Sequence, residues 1–422
     1  MNEPSLKTRR EFLANCGVVT AAATLPQFLV RTAHGVAVAN GWEPGSETPL
    51  PGFKDDRVLV VVQLSGGNDG LNTIIPHADD DYHRVRPQLA IKADQRLRLD
   101  DEVSLHAALK PLKSLYDDGR VALIQGVGYP NPNRSHFRSM EIWHTASDAD
   151  QYLNAGWIGR YFDNNCAGEP QATAGVAIGD EFPQAFGGER GMGVAFQTPE
   201  RFGYVPGRKG DDLASFRAIN RADAPAPNDQ VDFLRHVTRN ADLTSERLRQ
   251  TNQRTRNAVR YPFDPFGQGL ATVARMIAGG LGARIYYVSL GGFDTHSNQA
   301  GQHERLLGVY ASGLEAFHRD LTALGQSRRV LVMTFSEFGR RVRQNASGGT
   351  DHGTAAPMIL TGHAVAGGLK GRRPSLADLD QGDLKHTVDF RSVYASVLRQ
   401  WFDADPTVVL GRPFPDLPLL SA

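Results

Sequence analysis

Short apolar runs rich in β-branched residues recur along the chain at Val58 to Leu64, Val121 to Val127, Ile285 to Leu290, Val330 to Phe335 and Met358 to Thr361. Continuous runs of this length predict strands buried on both faces. Between them the apolar period changes to three or four. Leu105, Leu109, Leu112 and Leu115 predict one helix, and Leu306, Val309, Leu314, Phe317 and Leu321 another. A last helix is expected from Phe390 to Phe402, burying Val393, Val397, Leu398 and Trp401. Strands alternating with helices predict a parallel or mixed α/β sheet with helices on both faces. Ligands of such sheets gather beyond the carboxyl ends of the strands. Residues 166–265 break the rhythm with Gly-rich and Pro-rich stretches before a polar helical segment, Val231 to Val259, and read as an elaboration packed on the core.

The 422 residues are 41% hydrophobic and 22% charged, a balance that fits a folded globular chain and excludes a disordered one. Lys+Arg 46 against Asp+Glu 46 gives a net charge of +0, so bulk charge offers no case for nucleic-acid binding. Two cysteines, Cys16 and Cys166, cannot build a disulfide framework.

The N-terminus reads as an address. Lys7-Thr8-Arg9-Arg10-Glu11-Phe12-Leu13 precedes a weakly apolar stretch, Ala14 to Val30, and the small-residue run Ala37-Val38-Ala39. This order resembles a twin-arginine export signal over residues 1–39, cleaved after Ala39 and leaving 40–422 as the mature domain. The partner implied is the twin-arginine export machinery, and the location periplasmic or secreted. No other segment reads as a membrane span, so the mature form is expected to have no integral membrane segment.

The candidate chemistry lies at the ends of the runs. The first leads into Ser65-Gly66-Gly67-Asn68-Asp69-Gly70, where Asp69 could present a hard oxygen to a cation, although a plain Asn-Asp-Gly turn has the same composition. The second leads into Arg134-Ser135-His136-Phe137-Arg138. Ser135 stands where a helix would start, either as a nucleophile with Arg134 or Arg138 holding an anion, or as a simple cap. The third ends in Gly291-Gly292-Phe293-Asp294-Thr295-His296; this carboxylate and imidazole can face one metal, with His303 within reach. Ser336-Glu337-Phe338-Gly339-Arg340-Arg341 adds a carboxylate and paired arginines, of which Arg340 could orient a phosphate or sulfate. Gly349-Thr350-Asp351-His352-Gly353 enters from a loop before the last run. Carboxylates gathered at one sheet edge repel one another unless a cation neutralises them.

This succession of motifs resembles the alkaline phosphatase and sulfatase superfamily. Val60-Val61-Val62-Gln63-Leu64-Ser65-Gly66-Gly67-Asn68-Asp69-Gly70, Phe335-Ser336-Glu337-Phe338-Gly339-Arg340 and Gly349-Thr350-Asp351-His352-Gly353 are more specifically similar to a bacterial exported family, domain of unknown function 1501. The resemblance implies an α/β fold of three layers, αβα, with a mostly parallel central sheet, alkaline phosphatase-like. It implies Ser135 as nucleophile, Asp294, His296 and His352 at one metal, and Asp69 with Glu337 at another. Phe338 departs from the superfamily pattern, leaving that second site without an imidazole. Lys385-His386-Thr387-Val388-Asp389 is similar to the superfamily's terminal element. One or two divalent ions are implied: Zn, Mn, Mg or Ca. The expected activity is hydrolysis of a phosphate or sulfate ester on a small molecule or polymer. The alternatives are a secreted binding or assembly protein without catalysis and a transferase built on the same nucleophile.

Overall fold

The computed structural model describes residues 53, 55–166, 173–189, 193–202, 217–218 and 229–421. The export signal expected over 1–39 lies outside them. Strand β1 (Val58–Leu64) is buried at every position. Val58, Val60, Val62 and Leu64 enter one apolar core, whereas Leu59 and Val61 enter another. Successive strand side chains point to opposite faces, so the run is covered on both sides, as its continuous apolar character requires.

The main sheet adds β2 (Val121–Gly128), β3 (Gly175–Ile178), β4 (Gly193–Phe196), β5 (Ile285–Leu290), β6 (Val330–Phe335), β7 (Ala356–Gly362), β8 (Gly368–Lys370) and β9 (Val388–Asp389). Its order is β8-β2-β7-β6-β1-β5-β3-β4, with β9 also paired to β2. Strand β7 runs antiparallel to β2 and β6; the remaining pairs are parallel.

Helices fill the two outer layers: α1 (Lys110–Asp117), α2 (His136–Thr145), α3 (Trp157–Asn165), α4 (Asp229–Arg254), α5 (Pro265–Ala278), α6 (Gln299–Ala323) and α7 (Phe390–Gln400). Val273 of α5 and Leu306, Leu314 and Phe317 of α6 join the core on one face; Trp143 of α2, Tyr161 of α3 and Val393 and Leu398 of α7 join the core on the other. The result is the three-layer αβα arrangement with a mostly parallel sheet.

Three local readings are corrected. Leu105 does not start a helix: it belongs to a strand, Ser104–His106, and pairs with Ile74 and Leu97 in a small antiparallel sheet. The helix begins at Lys110, with Pro111 in its first turn, where a missing N–H costs nothing. The last helix ends at Gln400, with Trp401 as its cap. Two sheet strands, β3 and β4, lie inside 166–265, and their short runs are obscured by neighbouring glycine and proline.

The topology decides where the polar motifs land. The turns after β1, β5 and β6 leave the carboxyl ends of adjacent parallel strands, and the turn after β2 leads to α2 at the same edge. Because β7 is antiparallel, the loop before it arrives at that edge too. Thus Asp69, Ser135, Asp294, Glu337 and His352 come from loops on one side of the sheet.

Candidate metal centre

Close backbone packing brings these loops together. Gly66 has φ +117°, and a Cβ there would lie 2.4 Å from the Asp294 backbone nitrogen. Gly67, at φ +81°, leaves room for the ring of Phe338. Arg340 is buried and its guanidinium binds three loops at once. Nε donates to the Gly67 carbonyl at 2.7 Å and Nη1 to the Thr350 carbonyl at 3.0 Å. Nη2 donates to the Gly66 carbonyl, to the Phe293 carbonyl at 2.9 Å and to Asp294 Oδ1 at 2.7 Å. Ser139 of α2 donates to the Glu337 carbonyl at 2.5 Å, which seats the start of that helix over the loop after β6.

Three imidazoles surround Asp294. His296 Nε2 and His352 Nε2 each lie 3.0 Å from Asp294 Oδ1 and 3.0 Å from each other. His136 Nε2 lies 3.4 Å from Asp294 Oδ2. Each ring's other nitrogen faces an acceptor: His352 Nδ1 the Arg134 carbonyl at 2.8 Å, His136 Nδ1 Glu337 Oε1 at 2.9 Å, and His296 Nδ1 Asp351 Oδ1 at 3.4 Å. A neutral ring that donates from Nδ1 keeps its lone pair on Nε2. Three lone pairs and a carboxylate therefore face one small volume. His136 Nε2 is a buried nitrogen with no hydrogen-bond partner among the described residues.

Arg340 already meets the Asp294 carboxylate, but it offers nothing to the three imidazole lone pairs, and this donor set fits a metal. The 3.0 Å separations approach the edge of about 3.3 Å of a tetrahedron with zinc bonds of about 2.0–2.1 Å. Imidazole nitrogen with one carboxylate suits Zn or a similar transition metal better than Mg or Ca. The Nδ1 partners are the kind that fix the orientation of metal-bound histidine. His136, Asp294 and His352 offer ligand atoms within 4.8 Å of one another, a group able to hold a divalent ion.

The electrostatics agree. Burial opposes ionisation of Asp294, but Arg340, His352 and His296 outweigh it and bring the carboxyl down to about 2. The Glu337 hydrogen bond raises the His136 imidazole above its usual value despite burial. Asp351 is lowered chiefly by its hydrogen bond from Asn345.

Several expected site residues have other partners. Asp69 is buried and paired with Arg86 Nη1 at 2.6 Å, and Gln299 Nε2 also donates to it. Burial would raise its carboxyl, yet Arg86 and His303 bring it below the ordinary range. Glu337 meets His136 and the Gly66 amide, 2.8 Å away, instead of joining Asp69. The His136 ring packs against Phe338, with ring centroids 4.9 Å apart. Asn68 accepts from Thr73 and contacts His303 Nε2 at 2.9 Å, and burial brings His303 down to about 4.

The expected anion clamp is not assembled. Arg138 pairs with Glu141 at 2.7 Å and donates to the Ala149 carbonyl at 3.1 Å, and Arg340 is committed to the loops. Arg134 pairs with buried Asp383 and contributes its carbonyl to His352. Ser135 is exposed at the N-cap of α2, and its side chain makes no cap hydrogen bond. His386 lies outside the cluster and lines, with Tyr129, Trp143, Glu337, Phe338 and Lys385, a cavity of about 300 Å³.

Sequence reasoning missed Arg86 and Gln299, which carry no motif, and gave His136 no metal role because nothing in its spacing ties it to Glu337. No helix among the described residues is long and apolar enough to cross a membrane.

Solved structures similar to this chain include a protein in the alkaline phosphatase superfamily from Vibrio parahaemolyticus, 10% identical, covering 92% of this chain and 78% of that one, with a TM-score of 0.37. The C-terminal periplasmic domain of EcEptC from Escherichia coli is 10% identical over 88% of this chain and 94% of that one, with a TM-score of 0.37. Phosphonoacetate hydrolase from Sinorhizobium meliloti is 14% identical over 68% and 57%, with a TM-score of 0.29. No curated protein matches the chain. A family profile described as Protein of unknown function (DUF1501) matches residues 56–401, and the chain belongs to that family.

Proposed function

We propose that this protein is an exported, metal-dependent hydrolase of phosphate or sulfate esters with Ser135 as nucleophile. The observation that carries the reading is the meeting of His136, His296 and His352 Nε2 around the Asp294 carboxylate, each Nδ1 turned to an acceptor. A divalent ion bound there supplies Lewis acidity, lowering the proton affinity of an oxygen nucleophile and offsetting charge on the transferred group. His136, Asp294, His296 and His352 hold the ion. Glu337, Asp351 and the Arg134 carbonyl orient the rings. Ser135 adjoins His136, and its hydroxyl is not engaged as a cap. Its oxygen forms the bond to phosphorus or sulfur and gives up its proton to solvent as the ester oxygen departs and takes up a proton; water then breaks the Ser135 ester, restoring the hydroxyl and releasing phosphate or sulfate. The cavity beside Glu337 and Phe338 receives the leaving group, with apolar walls from Tyr129 and Trp143 and polar groups from Lys385 and His386.

Protein freed of contaminating phosphatases should lose ester hydrolysis on chelation and in Ser135→Ala, while Ser135→Ala retains its metal. Turnover unchanged in that variant eliminates the serine route. Metal content equal in wild type, His296→Ala and His352→Ala eliminates the coordination. Replacing Arg9 and Arg10 with lysine should abolish export, and unchanged export sinks that part of the reading.

A noncatalytic binding or assembly role has one observation in its favour: Arg138 and Arg340 are both committed to internal partners. Metal binding without turnover across a broad panel of phospho- and sulfo-esters would select it.

A further inference from the structure

The two loops that supply Asp294, His296 and His352 meet on one fully buried amide. Gln299 is the first residue of α6, and its Oε1 accepts from Thr350 Oγ1 at 2.6 Å and from Thr295 Oγ1 at 3.1 Å. Thr295 stands between Asp294 and His296, and Thr350 is two residues before His352. The amide nitrogen donates to Asp69 Oδ2, which Arg86 also holds. Arg86 in turn donates to the Val342 and Arg341 carbonyls, each at 2.8 Å, on the chain leading into the His352 loop. The backbone repeats the stitch: Gln299 N donates to the Gly348 carbonyl at 2.9 Å and Thr350 N to the Thr295 carbonyl at 3.2 Å.

We propose that Gln299 is a positioning residue that fixes the spacing of the two ligand loops and so sets metal affinity, with Asp69 and Arg86 as its anchor. The inference rests on the metal reading above and gives Asp69 an indirect role. The chemistry favours an amide here. Its oxygen can accept from two hydroxyls while its nitrogen donates to a carboxylate, and all four side chains are buried. An apolar side chain of similar length would leave two hydroxyls and a carboxylate oxygen without these partners, whereas glutamate would set a second carboxylate against Asp69. Each loop could then relax independently, and the 3.0 Å spacing between the His296 and His352 nitrogens would be lost.

The test uses the full mature chain and measures Zn²⁺ affinity against a competing chelator, together with the visible spectrum of the Co²⁺ form. Thr350→Val removes the hydroxyl at nearly constant volume, whereas Thr350→Ser keeps it. Thr350→Val and Gln299→Met should bind Zn²⁺ about 10- to 100-fold more weakly with a shifted Co²⁺ spectrum, while Thr350→Ser stays at the wild-type value. Wild-type affinity and spectrum in Thr350→Val and Gln299→Met would overturn the inference alone. An equal loss in Thr350→Ser and Thr350→Val would also overturn it, because the effect would then be one of packing. Should Gln299→Met not fold, the Thr350 pair decides. A wild type that binds no Zn²⁺, or a His352→Ala variant that binds it unchanged, would overturn the metal reading and this inference together.

Discussion

Replacing Arg340 with methionine asks whether this guanidinium is part of the frame. The side chain is fully buried and donates to Gly67, Thr350, Gly66, Phe293 and Asp294. Methionine nearly fills the same space and donates nothing. A buried carbonyl left without its partner costs about 1–3 kcal/mol. The Asp294 side chain is 46% exposed, so its lost ion pair contributes little once water replaces it. Two carbonyls left dry, with the others rehydrated, put the loss at about 2–6 kcal/mol. That is a large part of a domain's stability of about 5–15 kcal/mol. Arg340→Lys keeps the charge but presents a point donor instead of a fork, and should recover less than half of the loss. Urea unfolding followed by tryptophan fluorescence reads the effect as a lower midpoint at constant slope. A methionine variant within about 1 kcal/mol of wild type would refute the reasoning. So would a variant of normal stability that is defective only in binding an anionic substrate, because Arg340 would then belong to the substrate clamp.

A Cβ on Gly349 would lie 2.3 Å from the His296 carbonyl carbon, where only backbone could yield. Gly349→Ala should cost about 1–3 kcal/mol and weaken Zn²⁺ binding, and an unchanged unfolding midpoint would contradict the packing described. In metal-stripped protein the raised His136 pKa stabilises the fold fully below about pH 6.5, and that contribution is lost as pH rises through the raised value. His136→Gln should flatten this dependence in thermal melts between about pH 5 and pH 9, and parallel profiles for the two proteins would reject it. Phe317→Ala, in the core under α6, should lower stability by about 3–5 kcal/mol in urea unfolding while the Zn²⁺ affinity of the folded protein is retained.

The apolar pattern of the chain determined β1, β5 and β6 to the residue and the layering around them, because covering a strand on both faces requires a continuous apolar run. Motif chemistry likewise brought Asp294, His296 and His352 forward, since all three sit in Gly-rich turns at strand ends. Which partner each polar group takes was decided only by tertiary packing. His136 meets Glu337 across 201 residues of sequence, and Arg86 becomes an anchor for Asp69 because carbonyls 255 and 256 residues further on bury it. Arg138 and Arg340 look like anion clamps as letters, yet each is occupied by carboxylates and carbonyls that the folded loops bring to it. Burial patterns are local and periodic, so they survive in one dimension. The pairing of charges depends on distances that exist only after the strands have brought remote turns to a common edge.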